Sequence, residues 1–299
     1  MREAPKTYWH LAGARRMPTD YEVATSRLLY YVGRGFEVEV PLSDWYRRHQ
    51  VESALACDDW DRFADPRETT YAKYVALQQA KEAHVDGLLR SIEDGDYDRK
   101  LDPAWLDALE RLLPPLRYVF HGLQMVAAYV GQMAPSGRIT IVAALQAADE
   151  MRRVHRLAYR MAMLRRIRPG FGESGKQLWE RDPAWQPLRK LIETLLVTYD
   201  WGEAFAALNL GVKPVLDKFV FLGRVAETAR ARGDYLLGEI FFSLGEDGTW
   251  HNVWAQALAT LVTSADAGNH AMLAGWTRAW SAAATQAVAP LASELGGPG

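Results

Sequence analysis

The chain has 299 residues, 49% hydrophobic and 24% charged, proportions that exclude a disordered or fibrous protein. Its 35 basic and 37 acidic residues leave a formal charge of −2, so no overall field draws it to nucleic acid or to a lipid surface. One cysteine, Cys57, excludes an intrachain disulfide and a Cys-rich metal site, and no apolar stretch reaches the length of a signal or a membrane span, so the expectation is a cytoplasmic protein.

In chain order, residues 1–68 mix aromatics, glycines and charges without a sustained helical period. The one strand-like alternation is Phe36–Val40. Disordered segments are poor in aromatics, whereas Tyr8, Trp9, Tyr21, Tyr30, Tyr31, Trp45, Tyr46 and Trp60 stud this region, which therefore reads as an ordered arm. It lies either over the chain's own core or across a partner subunit, where Trp, Tyr and Arg commonly anchor contacts. From 69 to 299 the pattern is helical. Asp65-Pro66 with Thr69-Thr70 starts a helix that Gly95 closes, and Asp102-Pro103 starts another that runs to Met133, with a break or kink expected at Pro114-Pro115. Pro135-Ser136-Gly137 turns into a helix over about 139–165, and a linker rich in Gly and Pro is expected near 167–186. An apolar stripe from Leu188 to Tyr199 follows, then helical patterns at Tyr235–Phe242, Val253–Thr263 and Met272–Leu291. The fold class is all-α.

The chemistry such a chain can hold is limited. Gly33-Arg34-Gly35 has no strand–glycine–helix context, and neither a phosphate-binding loop nor a nucleophile elbow is present. The run Arg152, Arg153, Arg156, Arg160, Arg165, Arg166 and Arg168 reads as a solvated or subunit-contacting helix face rather than a nucleic-acid stripe. A long all-α chain invites comparison with ferritin-like bundles, which hold two metals with a glutamate from each of two helices and a Glu-x-x-His pair from each of two others. No Glu-x-x-His occurs here. Two worn versions do: Glu150 has Arg153 where histidine would stand, and His251 has Gly248 where glutamate would stand. Near Tyr118–Met125 and Leu210–Leu216 there is no carboxylate, only His121, Gln124 and Lys213, with Asp217 and Glu203 flanking. Arginine does not deprotonate in proteins, so Arg153 opposes a metal cation. The expectation is a bundle with di-metal geometry and no metal, in which Glu150 pairs with Arg153 and His251 is a hydrogen-bonded interior residue.

Three groups of residues carry a family resemblance: Lys6–Ala12, Arg15–Val23 and Asp65–Tyr74; Leu116–Met125 with Ala127–Pro135; and Asp200-Trp201-Gly202-Glu203-Ala204-Phe205 through Asn209-Leu210 and Lys213-Pro214. Together they resemble the hydroxylase β subunit of soluble bacterial multicomponent di-iron monooxygenases, the toluene and alkene monooxygenase group above all. The resemblance implies a ferritin-like, ribonucleotide-reductase-like helical bundle that scaffolds a catalytic α subunit, with no catalytic or metal residue of its own. The di-iron centre is then in α, the hydroxylase is an (αβγ)2 assembly, and an effector protein and a ferredoxin with its reductase complete an NAD(P)H-dependent system that oxidises an aromatic or alkene hydrocarbon. Tyr8, Trp9, Arg15, Arg16, Tyr21, Glu22, Trp45 and Tyr46 become candidates for the subunit interface. Two alternatives stay open. One is a self-contained di-metal enzyme with atypical ligands drawn from Glu150, Glu203, Glu239, Glu246 and His251; the other is a helical scaffold unrelated to oxygenases.

Overall fold

A computed structural model describes residues 19–25, 41–93 and 96–295. The candidates Tyr8, Trp9, Arg15 and Arg16, and the alternation at Phe36–Val40, lie outside these residues. Among the described residues every regular element is helical. Short helices α1 (Asp20–Thr25) and α2 (Pro41–Tyr46) precede α3 (Tyr71–Glu93), α4 (Pro103–Gln132) and α5 (Gly137–Ile167); then come α6 (Gly175–Arg181), α7 (Gln186–Leu196), α8 (Trp201–Ala206), α9 (Lys213–Asp217), α10 (Arg224–Ala231), α11 (Tyr235–Ala265) and α12 (Ala267–Glu294). None of the described helices is long and apolar enough to cross a membrane.

Side-chain caps set the starts of the long helices, satisfying amide groups that have no partner within the helix. Asp102 accepts from Ala104 N at 3.0 Å, Ser136 from Arg138 N at 3.2 Å, Asp200 from Glu203 N at 2.8 Å and Asp234 from Leu237 N at 3.1 Å. The four residues between α4 and α5 make a helical hairpin of these two, the most extensive pairing in the bundle. α4 runs through Pro114 and Pro115 as one helix, without the break that was one of the two outcomes expected there. Both prolines are buried, and α6 closes over them so tightly that a Cβ on Gly175 would meet Pro114 Cβ at 2.6 Å. Tertiary packing here outweighs the missing hydrogen-bond donors. α6 also occupies the segment read as a linker near 167–186.

α8 and α9 belong to one helical run, with π-helical turns at Ala207–Val212 and Lys218–Leu222. Tryptophans peg this run and its neighbours together across long sequence separations. Trp201 Nε1 donates to Val130 O at 2.9 Å, Trp254 Nε1 to Gln146 Oε1 at 3.1 Å and Trp105 Nε1 to Asp234 Oδ2 at 3.1 Å. Each ring is fully buried, so each indole N–H needs the partner it finds.

Candidate functional site

The place where a ferritin-like bundle would hold metals is occupied by buried charge. α5 supplies Glu150 and Arg153, whose three-residue spacing puts both on one helix face. α9 supplies Lys213 and Asp217, one turn apart. Arg153 Nη1 lies 2.9 Å from Glu150 Oε2 and 2.8 Å from Asp217 Oδ1. Lys213 Nζ lies 2.7 Å from Glu150 Oε1 and 2.8 Å from Asp217 Oδ2. Each carboxylate thus bridges the two cations, and two anions balance two cations. Phe221 lies under the Arg153 guanidinium at 4.5 Å, and Phe120 of α4 is 5.7 Å away, so α4 contributes an aromatic ring where a carboxylate would be needed.

α11 brings Gly248 and His251 to the same centre. A Cβ on Gly248 would land on Asp217 Oδ2, so glycine at this position is what leaves room for the Asp217 carboxylate. His251 Nε2 shares a 2.9 Å hydrogen bond with Asp149 Oδ2, and its Nδ1 faces Glu150 Oε1 at 3.9 Å with no hydrogen-bond partner. Around this core lies a second shell of charge that reaches α3. Asp149 accepts from Tyr74 and Gln78, both at 2.7 Å; Asp247 pairs with Lys81 at 2.6 Å and Arg152 at 2.8 Å. Arg152 also pairs with Glu82 at 2.6 Å, and Arg156 with Glu82 and Asp86.

The electrostatics follow from burial and these partners. Burial opposes charge on Arg153, but Asp217 and Glu150 outweigh it and raise its pKa. Burial likewise pushes Asp217 up, and Arg153 and Lys213 more than reverse it, holding the carboxylate below its ordinary range. Burial, reinforced by Lys213 and Arg153, drives the His251 imidazole well below 6.5 and keeps it neutral. Burial and the nearby Asp247 push the Asp149 carboxyl up to about 8.

The worn ligand positions Glu150, Arg153, Gly248 and His251 therefore converge, and Glu150 pairs with Arg153 as expected. Of the alternative ligand set only Glu150 and His251 come together. Glu203 accepts from Trp280 Nε1 at 3.1 Å, Glu239 pairs with Arg230 at the surface, and Glu246 is exposed. Among the described residues no group of three or more His, Cys, Asp or Glu is placed to hold a metal ion. The donors do not fit a metal because a guanidinium and an ammonium already neutralise them. One expectation fails: Arg152, Arg153, Arg156 and Arg160 do not form a solvated or subunit-contacting face. They are at most 9% exposed and turn inward to carboxylates on α3, α9, α11 and the loops. Of the arm candidates, Tyr21 and Tyr46 are buried in this chain, with Tyr21 Oη accepting from Asp65 N at 3.0 Å and Tyr46 Oη donating to Gln132 O at 3.2 Å. Glu22 caps α1 by accepting from Thr19 N at 2.8 Å, and Trp45 packs edge-on to Tyr199 at 4.9 Å. Sequence reasoning did not place Asp149, Lys213, Asp217 or Asp247 in the cluster; the Lys213–Asp217 spacing of four, inside an otherwise apolar run, was the signal for two of them.

Comparison with known proteins agrees with this geometry. The methane/phenol/alkene hydroxylase family pattern matches residues 43–266. The toluene-4-monooxygenase hydroxylase component subunit beta of Ectopseudomonas mendocina is 35% identical over 297 residues, spanning 97% of this chain and 90% of that protein. The phenol 2-monooxygenase oxygenase component DmpL of Pseudomonas sp. (strain CF600) is 26% identical, with 85% and 77% covered. A chain of toluene 4-monooxygenase solved with toluene in its resting active site superimposes with a TM-score of 0.92 at 34% identity, covering 99% of each chain. A chain of phenol hydroxylase from Pseudomonas sp. OX1 shares the fold, with a TM-score of 0.83 at 22% identity.

Proposed function

Since the chain belongs to the methane/phenol/alkene hydroxylase family, as a β-type subunit of a di-iron monooxygenase hydroxylase, we propose that it is the non-catalytic scaffold of an NAD(P)H-dependent enzyme that inserts one oxygen atom from O2 into an aromatic or alkene hydrocarbon. The observation that carries this reading is the ionic cluster: the bundle has the helix arrangement of a di-metal protein, with Arg153 and Lys213 in the space that metals need. On this reading the di-iron centre belongs to a larger α subunit, and the hydroxylase assembles as (αβγ)2 in the cytoplasm with an effector protein and a ferredoxin and reductase. What β supplies is rigidity, because an oxygen-activating site tolerates displacements of only about 0.5 Å and depends on the packing behind its ligands.

Co-expression with a candidate large oxygenase subunit tests the proposal. Copurification of the two chains, with iron at about two per αβ pair and none on the isolated chain, and toluene oxidation restored by the electron-transfer components, are the expected results. Two irons bound by this chain alone would overturn the scaffold reading and favour the self-contained enzyme. A chain that copurifies with no oxygenase subunit would favour the unrelated scaffold.

A further inference from the structure

The charges at the bundle centre pair off and leave one carboxylate over. Arg153 and Lys213 balance Glu150 and Asp217. Lys81, Arg152 and Arg156 balance Asp247, Glu82 and Asp86. Among the described residues Asp149 pairs with no lysine or arginine, although it is fully buried. Its Oδ1 accepts from Tyr74 Oη and Gln78 Nε2, both at 2.7 Å, and its Oδ2 meets His251 Nε2 at 2.9 Å. A buried carboxylate without a counter-ion is costly, so the state of this pair turns on where protons sit. An imidazolium cannot supply the missing charge, because Lys213 and Arg153 beside the ring hold His251 neutral. The hydrogen bonds settle the rest. With two donors on Oδ1, an acid proton belongs on Oδ2 and donates to Nε2. The imidazole then carries its own proton on Nδ1, which faces Glu150 Oε1 at 3.9 Å; the opposite tautomer would turn a lone pair onto that carboxylate.

We propose that Asp149 and His251 form a proton switch at the bundle centre, in which Asp149 is a neutral carboxylic acid donating to His251 Nε2 and a single ionisation of the pair inverts the imidazole. On ionisation the Oδ2 proton passes to Nε2 and the Nδ1 proton leaves to solvent. The pair then carries one negative charge, and the Nδ1 lone pair faces Glu150. The groups around the pair set where this happens. They are Tyr74, Lys81 and Glu82 from α3, Glu150, Arg152 and Arg153 from α5, Lys213 and Asp217 from α9, Asp247 from α11, and Arg67 ahead of α3. Burial and the Asp247 charge bring the transition to about 8, and it belongs to the pair rather than to either residue. The pair joins α5 to α11, and Tyr74 and Gln78 tie α3 to it. Below that pH the three helices share a neutral joint, and above it the joint is anionic. The switch is a property of this chain, independent of any partner.

The experiment is a pH titration of the full-length chain carrying isotope-labelled histidine. Long-range proton–nitrogen NMR reads the tautomer of His251, identified as the histidine that stays neutral below pH 6.5 and is lost in His251→Gln. Infrared spectroscopy reads the carbonyl stretch of a protonated carboxylic acid. Below pH 8 the expected result is an Nδ1–H imidazole, with a buried-acid band that is missing from Asp149→Asn. One unit above the midpoint the band falls to about a tenth, and the Nε2–H tautomer takes over in step. Asp149→Asn presents an amide N–H to Nε2 in place of the acid O–H, so it keeps the Nδ1–H tautomer throughout. Where that variant does not fold, the wild-type band and tautomer decide alone by titrating together. An imidazolium or an Nε2–H tautomer below pH 8, no acid band, a tautomer indifferent to pH, or inversion in a folded Asp149→Asn would overturn the proposal.

Discussion

A single methyl group tests the geometry at the bundle centre. In Gly248→Ala the new Cβ falls closer to Asp217 Oδ2 than the 3.0 Å that side-chain carbons essentially never breach, and it lies 3.5 Å from Arg153 Nη2. α11 is a long helix pinned at both ends, so the carboxylate must yield, by roughly 1 Å to regain van der Waals contact. That distance separates it from Lys213, now at 2.8 Å, and from Arg153, now at 2.8 Å. Breaking a buried pair costs about 3–5 kcal/mol, and the better helix propensity of alanine returns about 1 kcal/mol, leaving a net loss of about 2–4 kcal/mol. For a chain of 299 residues the melting temperature should fall by about 3–6 °C. Gly275→Ala is the control: it is also within a long helix, but nothing lies within 4 Å of its Cβ position, so it keeps only the propensity gain and melts slightly higher. Calorimetry of the two variants isolates the clash, and adding Gly248→Ala to an Asp217→Ala background should cost nothing further. A Gly248→Ala protein that melts within about 2 °C of wild type would refute the assignment of this glycine to the carboxylate's space.

Three other outcomes follow from the same structure. Arg153→Met leaves Glu150 and Asp217 facing only Lys213, and urea unfolding should show a loss of about 3–5 kcal/mol, whereas a loss below about 1 kcal/mol would mean that the two carboxylates are compensated elsewhere. Trp254→Phe keeps the ring packing but strands Gln146 Oε1, so a loss of about 1–3 kcal/mol is expected by the same assay. The third concerns pH. Asp149 has a raised native pKa, about 8 against 3.8 unfolded, while the His251 pKa is depressed below 6.5. Just below pH 6.5 the native chain keeps the proton on Asp149 and the unfolded chain keeps one on the histidine, so the two contributions oppose each other. Between 6.5 and 8 only Asp149 differs; the native state binds the extra proton, and stability falls as pH rises by about 1.4 kcal/mol per unit. Asp217 and Asp247, both depressed, lose their contribution only as pH falls below 3.8. Denaturation midpoints across pH 6–8.5 in wild type and Asp149→Asn check the sign: a wild-type stability that rises over that window, or a slope that survives in the variant, would exclude it.

Much of the fold was legible because it is written locally. The cap at Asp102 and the turn at Pro135-Ser136-Gly137 follow from turn and cap chemistry that each segment carries itself. α11 was legible only as two fragments, 235–242 and 253–263, because its middle holds Gly245, Asp247 and Gly248, residues that a solvent-exposed helix avoids but that a buried charge cluster needs. The convergence of Glu150, Arg153, Gly248 and His251 could be read from two worn motifs about one hundred positions apart. The arginine stripe could not. Its partners Glu82 and Asp86 lie about 70 positions earlier, on α3, and no periodicity within α5 shows that another helix will bring carboxylates to it. A face of four arginines normally means water; here it means a neighbour of opposite sign.

That neighbour also explains an odd feature of α3. Its first three turns expose Tyr71, Val75 and Leu77, while the side chains it turns toward the bundle are Tyr74, Gln78, Lys81 and Glu82. The helix is therefore held there by polar heads rather than by an apolar stripe. Buried ion pairs add little net stability over apolar packing, because desolvation consumes most of the Coulomb energy. What they impose is register. A slip of one residue rotates the helix by about 100° and would part Asp149 from Tyr74 and Gln78, and Asp247 from Lys81, in a single step. An apolar interface would absorb the same slip by repacking at a small cost. In a protein whose proposed task is to hold a partner's site in place, the charge around the bundle centre fixes which way α3 faces.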